Sequence, residues 1–256
     1  MKQTFAQVPL LNDKAVQFCP GCTHGTTLRL IAEAIQQAGL GSTAIGMTGD
    51  GCMAWAPQYL EVDITLVLHG RAPAVATGLK RARPDNLVFT IQGDGDLGSI
   101  GLGEVLHAAS RGEDITVVCV NNTTMGMTHG QMSPTSLPGQ KTTITPQGRD
   151  SELKHGHTMD LSRMVAEQGG VAYLARASLH DAKETLKAKK HIRRAFEVQM
   201  MGRGFTMVEL LSSCPTCWKM TPPDALEHVG EELVAAFPTG VLVDVTKDPE
   251  QAEVRR

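Results

Sequence analysis

Residues 86–96 read Asn-Leu-Val-Phe-Thr-Ile-Gln-Gly-Asp-Gly-Asp, and residues 114–122 read Asp-Ile-Thr-Val-Val-Cys-Val-Asn-Asn. Each is an apolar run that stops at small polar residues, the pattern of a strand buried on both faces and ending in a turn. Between them, Leu97 to Arg111 reads as a helix. Strand, helix and strand over that length make one right-handed α/β crossover, which joins two parallel strands. Gly93-Asp94 and Asn121-Asn122 then emerge together at the carboxyl edge of the sheet, where ligands sit in such folds.

The alternation continues outward. Helix patterns span Thr26 to Ala38 (Leu28, Ile31, Ala32 and Ile35 on one face), Gly70 to Arg83, Asp160 to Gln168 and Asp181 to Met201. In the last of these, Ile192, Phe196 and Met200 recur every fourth residue, while the Lys and Arg residues of 187–194 form a solvated face. Strands are predicted at Thr43 to Thr48, Val171 to Ala175 and Phe205 to Leu211, the last ending at Ser212-Ser213-Cys214. The fold class is therefore α/β: a mostly parallel sheet with helices on both faces. One domain is expected over residues 1–256, with a cysteine-rich N-terminal segment at about 15–52 and a variable tail at about 238–256. Thr123 to Asp150, rich in Thr, Gly, Pro and Gln, lacks periodicity; so long a loop in a compact domain is a binding loop.

Composition narrows the function. The chain has 256 residues, 41% hydrophobic and 20% charged, enough for a core and too apolar for disorder. No apolar run is long enough to cross a bilayer, and Met1 to Cys22 lacks the basic-then-apolar design of a secretory signal, so a cytoplasmic location is expected. A net charge of −3 and 4% aromatic residues argue against nucleic acid as a partner. There are six cysteines, at 19, 22, 52, 119, 214 and 217. In a reducing compartment they point to metal or redox chemistry.

Two groups of residues carry that chemistry. A spacer of 25 residues, 96–120, separates Gly93-Asp94-Gly95 from Asn121-Asn122. A carboxylate and an amide oxygen converging there are hard ligands that suit Mg²⁺, which also draws on phosphate oxygens. The glycines let the backbone approach a phosphate, and the helix opening near Leu97 offers free N–H groups to it. Gly49-Asp50-Gly51 repeats the motif, but no Asn lies in residues 75–80 to complete it. The second group is Cys19-Pro-Gly-Cys22 with Cys214-Pro-Thr-Cys217. Two CxxC pairs suit a Cys₄ zinc site, and four thiolates equally suit a [4Fe–4S] cluster.

The Gly-Asp-Gly turn, its spacer and the Asn pair resemble the thiamine diphosphate motif. That resemblance implies Asp94 and Asn122 as side-chain ligands of Mg²⁺, with the backbone carbonyl of Thr124 as a third. Cys19-Pro-Gly-Cys-Thr-His-Gly25, Gly51-Cys52, the His69 to Gly78 stretch, Gly126-Met-Thr-His-Gly-Gln131 and Cys214-Pro-Thr-Cys-Trp218 follow in order. Together they resemble the β subunit of 2-oxoacid:ferredoxin oxidoreductases, over about residues 15–225, and most nearly the 2-oxoglutarate and branched-chain 2-oxoacid members. The resemblance implies a thiamine diphosphate-binding fold and a [4Fe–4S] cluster on Cys19, Cys22, Cys52 and Cys214. It leaves Cys217 spare, and Cys119 reads as a core thiol. Cofactor contacts are expected from Asp50, Gly51, Cys52, Met53, His69, Gly93, Gly95, Asp96, Met127 and Thr128.

By the same resemblance a 2-oxoacid is converted to acyl-CoA and CO₂, coenzyme A accepts the acyl group, and electrons pass through the cluster to ferredoxin. The glutamate that activates thiamine would come from an α subunit with a pyrimidine-binding domain, alongside separate γ and ferredoxin-like δ subunits. Two other readings stay open at this point: a non-oxidative thiamine-dependent decarboxylase or synthase component, and a zinc-stabilised binding module. The sequence departs from the family at Met125 and His129, where Tyr and Gly are usual, which leaves the substrate open. His24 is expected either beside the cluster or at a helix start. His155 and His157 read as a solvated pair.

Overall fold

The computed structural model describes residues 8–247. Its strands are β1 (Ala44–Thr48), β2 (Asp63–Leu66), β3 (Leu87–Gly93), β4 (Thr116–Asn121), β5 (Thr124–Met125), β6 (Gln131–Met132), β7 (Val171–Ser178), β8 (Phe205–Leu211) and β9 (Gly240–Asp244). Its α-helices are α1 (His24–Gln37), α2 (Ala72–Ala82), α3 (Leu102–Arg111), α4 (Leu161–Ala166), α5 (Ala182–Met200), α6 (Pro215–Trp218), α7 (Pro222–His228) and α8 (Val234–Ala236). One seven-stranded sheet has the order β2-β1-β3-β4-β8-β7-β9, and β5 and β6 form a separate hairpin. All pairings in the large sheet are parallel except β7 with β9.

Alternating strand residues face two cores. Phe89, Ile91, Val118 and Val120 pack with Leu28, Ile31 and Ile35 of α1 and Ile192 and Phe196 of α5. Val88, Val117 and Cys119 face the other way, toward α2, α3 and α4. Cys119 is thus the core thiol expected of it. Met200 differs from expectation: it is 37% exposed. Gln199 turns inward in its place and donates to the carbonyls of Val88 (2.6 Å) and Asp114 (2.7 Å). Buried polar atoms need such partners, and this amide finds them between two strands.

Three further differences concern the edges. β2 is mostly exposed, and β9 lies in the region where a variable tail was expected. Residues 248–256 of that tail lie outside the described residues. The helix expected from Leu97 is broken. Asp96–Ile100 is a π-helical turn closed by a 3.0 Å bond from the Gly101 N–H to the Asp96 carbonyl, and α3 starts only afterwards. At Gly101 a Cβ would meet the carbonyls of Asp96 and Gly70 at 2.7 and 2.8 Å, so only glycine lets these backbones close up. No helix among the described residues is long and apolar enough to cross a membrane.

The topology places the site. From β1 the chain runs to β2 on one side, then returns through α2 to β3 on the other. The loops leaving β1 and β3 part here and open a crevice beyond their carboxyl ends. Asp50 to Met53 and Gly93 to Asp96 form its two lips, and Val120 and Asn122 close the third side.

Candidate active site

A cavity of about 440 Å³ fills this crevice. Asp50, Gly51, Cys52, Met53, His69, Gly93, Gly95, Asp96, Met127 and Thr128, expected as cofactor contacts, all line it, together with Asp94, Asn122 and Thr124.

One corner is built for a cation. Asp94 is buried at the end of β3, and its Oδ2 accepts hydrogen bonds from Ser133 Oγ (2.6 Å) and Thr135 Oγ1. Burial pushes its carboxyl up to about 6 against the pull of these hydroxyls. The Asn122 side-chain amide stands 3.2 Å from Oδ1 of Asp94 and 2.8 Å from the Thr124 carbonyl, and with its nitrogen toward them it donates to both. Turned over, the amide would place its oxygen there instead, so that three oxygens face one cation. Neighbouring ligands of an octahedral Mg²⁺ with bonds of about 2.1 Å stand about 3 Å apart, so the oxygen spacing fits that ion.

A second carboxylate organises the opposite wall. Asp96 accepts from Gln92 Nε2 (2.8 Å) and the Gly70 N–H, and its Oδ1 lies 2.7 Å from His69 Nδ1. His69 Nδ1 also lies 3.2 Å from the Asp50 carbonyl. An Nδ1–H directed at these two oxygens leaves Nε2 as the basic nitrogen of His69. Burial raises the Asp96 carboxyl, opposed by these partners. The second Gly-Asp-Gly turn thus helps build the wall: a Cβ on Gly49 would meet Asp96 Oδ2 at 2.0 Å.

The cysteines surround an adjoining cavity of about 780 Å³, lined by Cys19, Cys22, Cys52, Cys214 and Cys217. The chain ends that bring them together are tied across the fold. Thr23 Oγ1 lies 2.6 Å from Ser212 Oγ, and Ser213 Oγ donates to the Gly21 carbonyl at 2.7 Å. Gly21 (φ 79) sits so tightly on Pro222 that a Cβ would come within 2.5 Å of it. A Cβ on Gly126 would rest 3.4 Å from the Cys52 sulfur and 3.5 Å from that of Cys214, so glycine keeps the space between these thiols open. Among the described residues no three His, Cys, Asp or Glu side chains converge on a single ion. Thiols lining a cavity are the donor set of a thiolate-bound metal or cluster.

His24 opens α1, and its Nδ1 lies 2.9 Å from the Cys22 sulfur. Burial lowers its ring to about 4. Burial also pushes the Cys22 thiol to about 12 and Cys52 to about 11, so holding thiolates here calls for a bound cation or cluster. Cys217 Sγ donates to the Gly126 carbonyl at 3.6 Å, and the neighbouring Cys214 sulfur lowers the Cys217 thiol from its ordinary range. The two cavities share His24, Cys52, Asn122, Gly126 and Met127 as a common wall.

Residues 51–210 match the family described as thiamine pyrophosphate enzyme, C-terminal TPP binding domain. The chain is 40% identical over 92% of its length to the ketoisovalerate oxidoreductase subunit VorA of Methanothermobacter thermautotrophicus. It is 38% identical over 85% of its length to the 2-oxoglutarate synthase subunit KorB of Methanocaldococcus jannaschii, and covers 78% of that protein. The chain belongs to the 2-oxoacid:ferredoxin oxidoreductase subunits. It spans about half of the VorA subunit, 49% of its length. A 2-oxoglutarate:ferredoxin oxidoreductase from Magnetococcus marinus, solved with 2-oxoglutarate, coenzyme A and succinyl-CoA bound, matches with a TM-score of 0.77 at 27% identity, over 99% of this chain and 90% of that one.

Sequence reasoning missed several residues that build this site. Ser133, Thr135 and Ser136 are buried and wrap Asp94 and the Thr123 carbonyl. Arg149 clamps their loop, donating to the carbonyls of Ser136 (2.6 Å), Pro134 (2.9 Å) and Gly156 (3.0 Å) and to that of His157. His157 thereby anchors the clamp, and His155 accepts the Asp150 N–H. A lone Arg in an aperiodic stretch of small hydroxyl residues was the available signal.

Proposed function

We propose that this chain is the thiamine diphosphate- and cluster-binding subunit of a complex that converts a 2-oxoacid and coenzyme A to acyl-CoA and CO₂, passing two electrons singly to ferredoxin. The observation that carries this is the common wall: a cavity with a Mg²⁺-type corner and a cavity ringed by thiols meet at Cys52 and Gly126. The substrate class is 2-oxoglutarate or a branched-chain 2-oxoacid, as in the names of its relatives. A cytoplasmic location goes with this reading.

Bound thiamine diphosphate supplies the nucleophilic carbon and electron sink for decarboxylation, and a [4Fe–4S] cluster takes the electrons one at a time. Asp94, Asn122 and the Thr124 carbonyl would hold the Mg²⁺, and Cys19, Cys22, Cys52 and Cys214 the cluster. Gly93 and Gly95 keep side chains off the diphosphate. His69, fixed through Nδ1 by Asp96, offers Nε2 to the cavity as a proton acceptor. Among the described residues no glutamate lines the cavity, which supports an activating Glu supplied by a pyrimidine-binding α subunit, with γ and ferredoxin-like δ subunits completing the complex.

Anaerobic purification with iron, sulfide and zinc analysis tests the central claim. About four irons per chain are expected, and stoichiometric zinc would refute it. Asp94→Ala should abolish Mg²⁺-dependent cofactor binding while leaving the iron in place. A panel of 2-oxoacids assayed with the assembled complex identifies the substrate.

A further inference from the structure

The first Asn of the Asn-Asn pair has no role in the cation corner, yet it is completely buried and fully bonded. Its Nδ2 donates to Oε1 of Glu209 at 2.7 Å. Glu209, also fully buried, accepts at Oε2 from Arg176 Nε (2.6 Å) and from Ser162 Oγ. A carboxylate bound to Arg only accepts, so the Asn121 amide has one permitted orientation, with its oxygen turned away from Glu209.

That oxygen reaches two groups. At 3.0 Å it accepts the backbone N–H of Thr123, and at 3.0 Å it faces the Thr135 hydroxyl, whose one proton bridges Asn121 and Asp94. Thr123 is a β-branched residue at φ 54, a left-handed conformation that persists only when its surroundings enforce it. The Asn121 oxygen on its N–H, with Ser136 Oγ (2.6 Å) and Gln140 Nε2 (2.8 Å) on its carbonyl, does so. The outcome is a chain turn that aims the Thr124 carbonyl into the corner. The Thr135 hydroxyl meanwhile engages one carboxylate oxygen of Asp94 and leaves the other facing Asn122.

We infer that Asn121, oriented by the buried Glu209–Arg176 pair, is a positioning residue that sets two of the three oxygens of the cation corner, the Asp94 carboxylate and the Thr124 carbonyl. This rests on the Mg²⁺–thiamine diphosphate reading above. The motif then has two separate duties: Asn122 faces the ion, and Asn121 braces its neighbours.

The test is the Mg²⁺ concentration that half-saturates thiamine diphosphate binding to the assembled complex, followed by titration calorimetry. Asn121→Ala should raise it at least tenfold and Thr135→Val several-fold. In both, affinity for the cofactor should recover at saturating Mg²⁺, which general damage to the fold would not allow. Thr135→Ser restores the hydroxyl and should return the wild-type value. If Asn121→Ala does not assemble, the Thr135 pair decides. A Thr135→Val midpoint within twofold of wild type, or a Thr135→Ser variant as impaired as Thr135→Val, overturns the inference. Wild-type binding without any divalent ion would instead overturn the underlying reading, and the two failures are told apart by which protein shows them.

Discussion

Gly49→Ala adds one carbon at the position where the fold has least room. The new Cβ would lie 2.0 Å from Asp96 Oδ2 and 2.7 Å from its Cγ. Ordinary contact requires more than an ångström of retreat, and Asp96 is 3% exposed and held by three partners. Retreat breaks the 2.8 Å bond from Gln92 and loosens those to Gly70 and His69. Hydrogen bonds to a charged group contribute about 1.5–3 kcal/mol each, so losing two costs about 3–6 kcal/mol. For a chain of this size that corresponds to a fall in Tm of roughly 6–12 °C. Differential scanning calorimetry of the complex without cofactor measures it, with Gly103→Ala as control, because a Cβ there meets nothing within 4 Å. The control should melt at or slightly above the wild-type temperature, since alanine favours a helix over glycine by about 1 kcal/mol. A Gly49→Ala protein that melts within about 2 °C of the control would refute the argument that Asp96 is immobile.

Other consequences are separately testable. Cys214→Ala should lose most of the iron, whereas Cys217→Ala should keep it, as measured by iron content and absorbance after anaerobic purification. In cluster-free protein at pH 8, Cys217, lowered by its Cys214 neighbour, should be alkylated before Cys22 and Cys52, which burial pushes to about 12 and 11. Peptide mass spectrometry after iodoacetamide treatment gives the order, and equal rates would contradict it. Arg149→Met removes the guanidinium's bonds to the carbonyls of Ser136, Pro134, Gly156 and His157, and should open residues 133–157 to limited proteolysis while the sheet stays resistant.

The fold was legible where burial is simplest. β3 and β4 are apolar on both faces, and Gly-Asp-Gly and Asn-Asn mark their ends without ambiguity. β2 and β9 escaped because edge strands, half exposed and short, lack that pattern. The cofactor lining was legible through motifs that lie near strand ends. The hydroxyl cradle was not, because Ser133 and Thr135 reach Asp94 from about forty residues away along a loop with no period. Glu209 and Arg176 are single charges inside apolar strands, and that anomaly was open to view. Such residues are rarely buried unless paired, so their opposite signs alone argue that β7 and β8 are neighbours.

The common wall also bears on how the protein can change. Cys52 faces one centre and starts the turn that lines the other, while Gly126 separates two sulfurs and borders the cofactor cavity. The two centres are therefore not modules. A substitution that reshapes the thiol-ringed cavity also reshapes the chamber next door, so on the proposed function a lineage that gave up electron transfer would have to rebuild its thiamine site at the same time. On that proposal, redox function would be inherited as a unit with the carbon chemistry.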